Sequence, residues 1–246
     1  MPAAEVEIGE DLVRSLLVEQ HPDLADRRLT PVAEGWDNVI YRLGDDLVVR
    51  LPRRQLGADL VANEHRWLPD LAPRLPIPIA APIRTGAASG DYPWAWSICP
   101  WFDGEVAADA ALAAPQVEAR RLGEFVAAFH SEAPIDAPAN PLRGRPMSYL
   151  RARIPESIER SGTLVDRGRV AKRGAELLDV DDWGGPPLWL HGDLHSANVV
   201  VRDGSITAVL DLGDLTSGDP ACDLAIAWML FGERERELFR TAAGSR

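Results

Sequence analysis

Eight consecutive residues, His191-Gly-Asp-Leu-His-Ser-Ala-Asn198, hold two histidines, an aspartate and an asparagine. Such side chains can ligate a metal, move a proton, or satisfy the polar groups of a turn. The flanks are apolar, with PPLWL leading in and VVV following, so the polar stretch sits between candidate buried strands. On an extended strand His191, Asp193 and His195 alternate and point one way. That suggests a metal-dependent phosphohydrolase, but a two-metal centre needs several more ligands, usually histidines. The other histidines, His21, His65 and His130, each stand without a second ligand nearby in sequence.

Spacing supports a different chemistry. Asn198 lies five residues after Asp193, and Asp211 lies eighteen after it, at the end of ITAVL and before Leu212-Gly213. The pieces are His-x-Asp, Asn at +5, a hairpin, then Asp-Leu-Gly. Protein kinases share this layout: a catalytic-loop aspartate, a downstream asparagine on Mg²⁺ and an Asp-Phe-Gly aspartate on Mg²⁺. The chemistry requires it. A hydroxyl nucleophile needs a carboxylate to align it and take its proton, and a triphosphate needs metal ions held by hard oxygens. One such position is weak evidence; four in register from His191 to Asp211 are specific. A P-loop kinase is excluded, because the only lysine, Lys172, is followed by Arg173 and not by Ser or Thr.

The segment WLHGDLHSANVVV…ITAVLDLGDLTSGDPACDLAIAWML resembles the aminoglycoside phosphotransferase family, small-molecule kinases of the protein-kinase-like fold. The resemblance extends upstream through EGWDNVIYRLGDDLVVRLPR and the helix containing Glu64. It implies a two-lobed α+β fold. Residues 1–101 would form a nucleotide-binding lobe, a small antiparallel sheet with one inserted helix. Residues 102–246 would form a mainly helical catalytic and acceptor-binding lobe. The nucleotide would lie against WAWSICPW, with Ser97 and Cys99 in the binding strand. Asp193 would orient and deprotonate the acceptor hydroxyl, and Asn198 and Asp211 would hold Mg²⁺. Arg50 would replace the lysine most kinases use on phosphate oxygens, since a guanidinium binds phosphate bidentately; otherwise it is an edge-strand arginine facing water. Glu64 would be its ion-pair partner, or else a surface glutamate. His195 would either face the transferred phosphate or bond locally. His191 would brace the loop, Asp223 would bond the loop backbone, and Asp214 reads as polar loop. AEGWDNVIY carries one glycine where a Gly-rich loop has three, implying a stiffer lid over the phosphates.

The implied activity is transfer of the γ-phosphoryl group of ATP or GTP to a small hydroxylated molecule: an aminoglycoside, a macrolide, a sugar or a similar alcohol. A formal charge of −12 argues against a general affinity for nucleic acid and suits an aminoglycoside. Between Arg143 and Arg173, however, basic residues outnumber acidic ones nine to three. A solvated helical face explains such a run; if it lined the cleft, a polycation would be a poor guest. Family members continue for several helices beyond the last helix here, so a truncated or inactive nucleotide-binding protein is the alternative.

The elements that must position these residues can be read from periodicity. Apolar residues at 12, 13, 16 and 17 predict a helix over 10–20, and 57–72 repeats the pattern. RLTPVAEG, DNVIYRLG, DLVVRLP, PIPIAAPIRTG and YPWAWSICPW read as strands. An amphipathic helix spans 115–132, a proline-rich loop 133–147, and further helix falls between 147 and 178. PPLWL is a short strand, ANVVVRDGSITAVLD a hairpin turning at Asp-Gly. Asp219 and Pro220 start the helix ACDLAIAWMLF. Apolar residues make up 46% of the chain, ordinary for a globular protein. No apolar run approaches the ~18 residues of a membrane span, and the acidic N-terminus lacks signal-peptide order. A cytoplasmic protein with Cys99 and Cys222 reduced is expected.

Overall fold

The structure is a computed structural model that describes residues 2–244. Helix α1 (Glu10–Gln20) follows the apolar repeat and buries Val13, Leu16 and Leu17. Three β-rich runs then form β1 (Leu29–Glu34), β2 (Asn38–Leu43) and β3 (Leu47–Pro52). Helix α2 (Gln55–Leu71) is inserted before β4 (Arg84–Gly86) and β5 (Trp96–Pro100). The sheet order is β1-β2-β3-β5-β4, all antiparallel, so β3 is central. Alternation along β3 sends Leu47, Val49 and Leu51 into a core with α1, Tyr41, Trp96 and Ile98. Val48 and Arg50 point to the opposite face.

The second part of the chain contains β6 (Glu105–Val106), α3 (Pro115–Phe129), α4 (Met147–Arg160) and α5 (Arg167–Leu178). Next come β7 (Leu188–Leu190), β8 (Val199–Arg202), β9 (Ser205–Val209) and β10 (Thr216–Gly218). Three short helices follow: α6 (Ala221–Leu224), α7 (Ile226–Leu230) and α8 (Glu233–Ala242). β7 pairs with β10, and β6, β8 and β9 form a separate small sheet. Asp203 and Gly204 both have positive φ, 52° and 75°, as a two-residue type I′ hairpin requires. Phe125, Phe129, Val199, Val209, Ile226 and Phe239 build the second core. Two cores joined at a cleft give the two-lobed α+β, protein-kinase-like architecture. No helix among the described residues is long and apolar enough to cross a membrane.

Three local expectations change. PIPIAAPIRTG gives a strand only at its end, β4, because its prolines remove ladder donors. Ile77 and Ile79 instead enter the second core with Leu68 and Leu71 of α2, so that core begins before the composition break at residue 101. Val209 N–H donates to the Pro78 carbonyl at 2.9 Å, and Ala80 N–H to the Val209 carbonyl at 3.2 Å, stitching the lobes. ACDLAIAWMLF breaks at Ala225 into α6 and α7, while Asp219 Oδ1 accepts from Ala221 N–H at 2.9 Å, the bond expected of an N-cap followed by proline. The further helix expected between 147 and 178 is a hairpin of α4 and α5.

A buried carboxylate fixes the hairpin that carries Asn198 and Asp211. Glu118 on α3 is 3% exposed and accepts from Ile206 N–H of β9 at 3.0 Å. Glu118→Ala should therefore lower unfolding stability by about 1–3 kcal/mol, the cost of orphaning a buried donor. Exposed Glu124→Ala on the same helix should stay within about 0.5 kcal/mol. Denaturant titration of both variants checks this.

Candidate active site

The polar octapeptide leaves the end of β7, whose Leu190 pairs with Thr216 of β10. This brings His191-Gly192-Asp193 beside the Asp211-Leu-Gly-Asp214 turn that precedes β10. Gly192 makes the approach possible. Its φ is +87°, and a Cβ there would stand 2.2 Å from the Asp214 carbonyl oxygen, so no side chain fits. Asp223 of α6, 1% exposed, accepts from His191 N–H at 2.8 Å and Gly192 N–H at 3.0 Å. His130, at the end of α3, adds a third contact to the same carboxylate at 3.2 Å.

His191 is fully buried. Its Nδ1 accepts from Asp193 N–H at 3.3 Å, which leaves Nε2–H to donate to the Leu210 carbonyl at 2.9 Å. It thereby ties the start of the loop to the residue before Asp211. His195 Nδ1 accepts from Ala197 N–H at 3.1 Å, and its Nε2 lies 3.4 Å from Asp193 Oδ2. Asn198 closes the turn: its Nδ2 donates to the Asp193 carbonyl at 3.0 Å. With the amide nitrogen committed, Oδ1 is the atom left to act as a ligand. Arg143 Nη2 reaches Asp193 Oδ1 at 2.5 Å.

On the facing lobe Arg50 is 7% exposed and Glu64 1%. Two bonds join them, Nη1 to Oε2 at 3.0 Å and Nη2 to Oε1 at 3.2 Å. Burial opposes both charges. It would lower the Arg50 pKa, but the Glu64 carboxylate outweighs it and holds the guanidinium above its usual range. Burial pushes the Glu64 carboxyl up, and Arg50 resists that rise. Arg50 Nη2 also stands 3.9 Å from Asp211 Oδ1. Asp211 has φ 57°, a left-handed conformation that costs a non-glycine residue energy and often marks a functional position.

Arg50, Asn198 and Asp211 line one cleft of about 580 Å³. Its apolar walls include Ile40, Val48, Leu60, Ala80, Val106, Val200 and Leu210, and its rim Trp36 and Trp101. Arg53 and Arg54 brace the β1–β2 turn over it: Arg53 Nη1 bonds the Gly35 carbonyl at 3.1 Å and Arg54 Nε bonds Asp37 at 2.7 Å. A second hollow of about 620 Å³ lies against β1, β2 and the N-terminal segment, lined by Val6, Ile8, Pro31 and Tyr41. It contains none of the catalytic-loop residues.

The sequence profile of the phosphotransferase enzyme family, APH, matches residues 28–245. This chain belongs to the phosphotransferase enzyme family. The uncharacterised protein YcbJ of Bacillus subtilis (strain 168) is 26% identical over 119 residues, which span 47% of this chain and 39% of that protein. The GDP complex of wild-type aminoglycoside 2'-phosphotransferase-IIIa superposes with a TM-score of 0.77 at 21% identity, covering 96% of this chain and 83% of that one. The apoenzyme of macrolide 2'-phosphotransferase MphH from Brachybacterium faecium gives 0.67 at 25% identity, covering 95% and 82%. The streptomycin–ATP ternary complex of APH(2'')-IIa gives 0.63 at 17% identity, covering 98% and 84%.

In this phosphotransferase the fold brings together Arg50, Glu64, Asp193, His195, Asn198 and Asp211, all singled out from sequence. Ser97 and Cys99 are placed differently. Both share the Arg50 face of the sheet, as their pairing with Arg50 and Val48 requires, but both are fully buried. Ser97 Oγ bonds His65 Nε2 of α2 at 2.8 Å, and burial pushes the Cys99 thiol up to about 12. The cleft wall is formed instead by the residues just after them, Pro100, Trp101 and Phe102. Cys99 and Cys222 are both free thiols. Sequence reasoning gives no role to His130 or Asn140 and registers Arg143 only as the start of a basic run. Their partners lie 93, 74 and 50 positions away, and no local motif marks them.

The Arg50–Glu64 pair yields a double test. Glu64→Ala leaves a buried guanidinium unpaired and should cost about 3–5 kcal/mol. Arg50→Met with Glu64→Leu replaces the pair by apolar groups and should recover most of that loss. Thermal and denaturant unfolding of the three proteins decides; equal loss in single and double variants would show that the unpaired guanidinium is not the source of the cost.

Proposed function

We propose that the chain transfers the γ-phosphoryl group of ATP or GTP to a hydroxyl of a small molecule. The observation that carries this reading is the convergence on one cleft of a guanidinium, Arg50, and two hard oxygen donors, Asn198 and Asp211. Beyond Asn198 stands an oriented carboxylate, Asp193. The solved relatives with similar folds include GDP and ATP complexes and complexes with aminoglycosides, which supports a nucleotide in the cleft and a hydroxylated acceptor outside it. An aminoglycoside, a macrolide, a sugar and a similar alcohol are the acceptor classes this reading leaves open.

The residues divide the work. Val48, Ala80, Phe102, Val200 and Leu210 offer an apolar slot for the base. Arg50, held by Glu64, takes phosphate oxygens as a fixed, permanently charged fork. Asn198 and Asp211 fit Mg²⁺, which is commonly held by one or two protein oxygens with phosphate and water completing the shell. Bound there, the ion would neutralise charge developing on the phosphates. Asp193 lies past the cleft lining, on the acceptor side. Its carboxylate aligns the hydroxyl and receives its proton, while His195 and Asn198 hold its position. The phosphohydrolase alternative needs a multi-ligand cluster, and none forms among the described residues.

Two measurements test the reading. Asp193→Ala should lower transfer by about 10²–10⁴-fold with Mg·ATP affinity nearly unchanged; loss of metal instead would favour the hydrolase. The Arg50→Met/Glu64→Leu protein should lose much of its ATP affinity, a charge-assisted contact worth about 1.5–3 kcal/mol, and keep its affinity for adenosine. If both ligands weaken alike, the cleft does not hold phosphates at Arg50. A wild type that binds Mg·ATP and transfers to no acceptor would identify a nucleotide-binding protein without the activity.

A further inference from the structure

We propose that Arg143 selects the acceptor, so that the site takes a molecule whose reacting hydroxyl lies beside a carboxylate or phosphate group and turns polycations away. The inference rests on the phosphotransfer reading above and concerns its acceptor side. Arg143 Nη2 is 2.5 Å from Asp193 Oδ1, and its Nε is 3.7 Å from Asp214 Oδ2. The side chains of Arg143 and Asp193 remain 40% and 31% exposed, so an incoming molecule can reach both.

This arginine is placed by a built turn. Asn140 Oδ1 accepts from Leu142 N–H at 2.8 Å and from Arg143 N–H at 3.1 Å, fixing the Arg143 backbone. Asn140 Nδ2 donates to Asp214 Oδ1 at 2.6 Å, and Asn140 N–H to Thr216 Oγ1 at 2.9 Å. On the other side, the Gly144 carbonyl accepts from Asp219 N–H at 3.0 Å. Gly144 has φ +60°, and a Cβ there would stand 2.6 Å from Leu190 Cδ1; the strap is packed directly on the strand that leads into the catalytic loop. Most of the basic run is engaged elsewhere. Arg151 bonds the Leu178 and Val180 carbonyls, Arg145 and Arg153 lie over Tyr149, and Arg167 and Arg173 pair with Glu159 and Glu176. Among the described residues, Arg143 is the member of that run that reaches Asp193.

The charge arrangement has a direct consequence for the acceptor. Asp193 alone would attract an ammonium beside the reacting hydroxyl, and Arg143 cancels that attraction. Among the described residues Nη1 has no hydrogen-bond partner, so part of the guanidinium fork stays open. Carboxylate and phosphate oxygens match that fork. An anion taking it loosens the bond to Asp193 Oδ1, which is then free to accept from the hydroxyl. A neutral alcohol must break the same ion pair without replacing it, and an ammonium finds Asp193 already paired.

The test compares wild type, Arg143→Ala and Arg143→Lys, each with and without Mg·ADP. Matched probes are titrated: gluconate against sorbitol, ribose 5-phosphate against ribose, and kanamycin. Expected are at least tenfold tighter binding of the anionic member of each pair to wild type, loss of that preference in Arg143→Ala and its partial return in Arg143→Lys. Kanamycin should bind Arg143→Ala at least tenfold more tightly than wild type. Asn140→Ala, which frees the turn, should weaken the preference without altering Arg143. A residue that merely steadies Asp193 would change all probes alike. Wild type with no anionic preference, or a preference that survives Arg143→Ala, overturns the proposal. ATP affinity should be unchanged within about twofold, because Arg143 does not line the nucleotide cleft. Binding reads Arg143 whether or not phosphate moves, so an anion preference without transfer would overturn the kinase reading and with it the acceptor role, while absence of the preference in an active wild-type enzyme would overturn this proposal alone.

Discussion

A guanidinium cannot escape burial by shedding its proton. Arg50 sits on the central strand of the sheet and is almost fully buried, so its permanent charge demands a permanent counter-charge. Glu64 supplies it bidentately, and that demand fixes how α2 lies on β3. A lysine could neutralise and relax; this pair cannot. The position of α2 then carries Leu68 and Leu71 into the second core. Thus one ion pair links the floor of the cleft to the packing between lobes, and its geometry leaves the guanidinium close to Asp211.

The opposite wall depends on a single carboxylate in the same way. Asp223 holds two successive loop amides and His130, so the bend at His191–Gly192 is determined before any ligand arrives. From that bend, His191 reaches Leu210 and Asn198 reaches back to Asp193. The residues that would meet metal and substrate are held by residues that meet neither. Such a scaffold suits chemistry in which positioning and fixed charge supply most of the rate.

Much of this was legible from sequence for identifiable reasons. Periodicity located α1, α2, α3 and the β1–β3 strands, because each buries a regular face against a core. The spacing of Asp193, Asn198 and Asp211 anticipated that these residues come together, because a loop and a tight hairpin impose short, fixed separations. Legibility failed where position depends on tertiary contact. Ser97 and Cys99 alternate correctly toward the cleft face, yet α2 covers them, and periodicity cannot register a cover. Residues 77–81 looked like strand from their isoleucines, but the intervening prolines sent them across to β9. Arg143 and Asn140 lie in a proline-rich loop whose composition says only that it is irregular.

An arginine in the cleft, where most kinases carry a lysine, has a consequence beyond energetics. Lys172 is the only lysine in the sequence, and it sits exposed on α5, away from the cleft lining. Reagents that mark nucleotide sites by acylating a nearby amine would find no nucleophile at Arg50, since a guanidinium stays protonated at any working pH. In a survey based on amine labelling, the proposed nucleotide cleft would go unmarked.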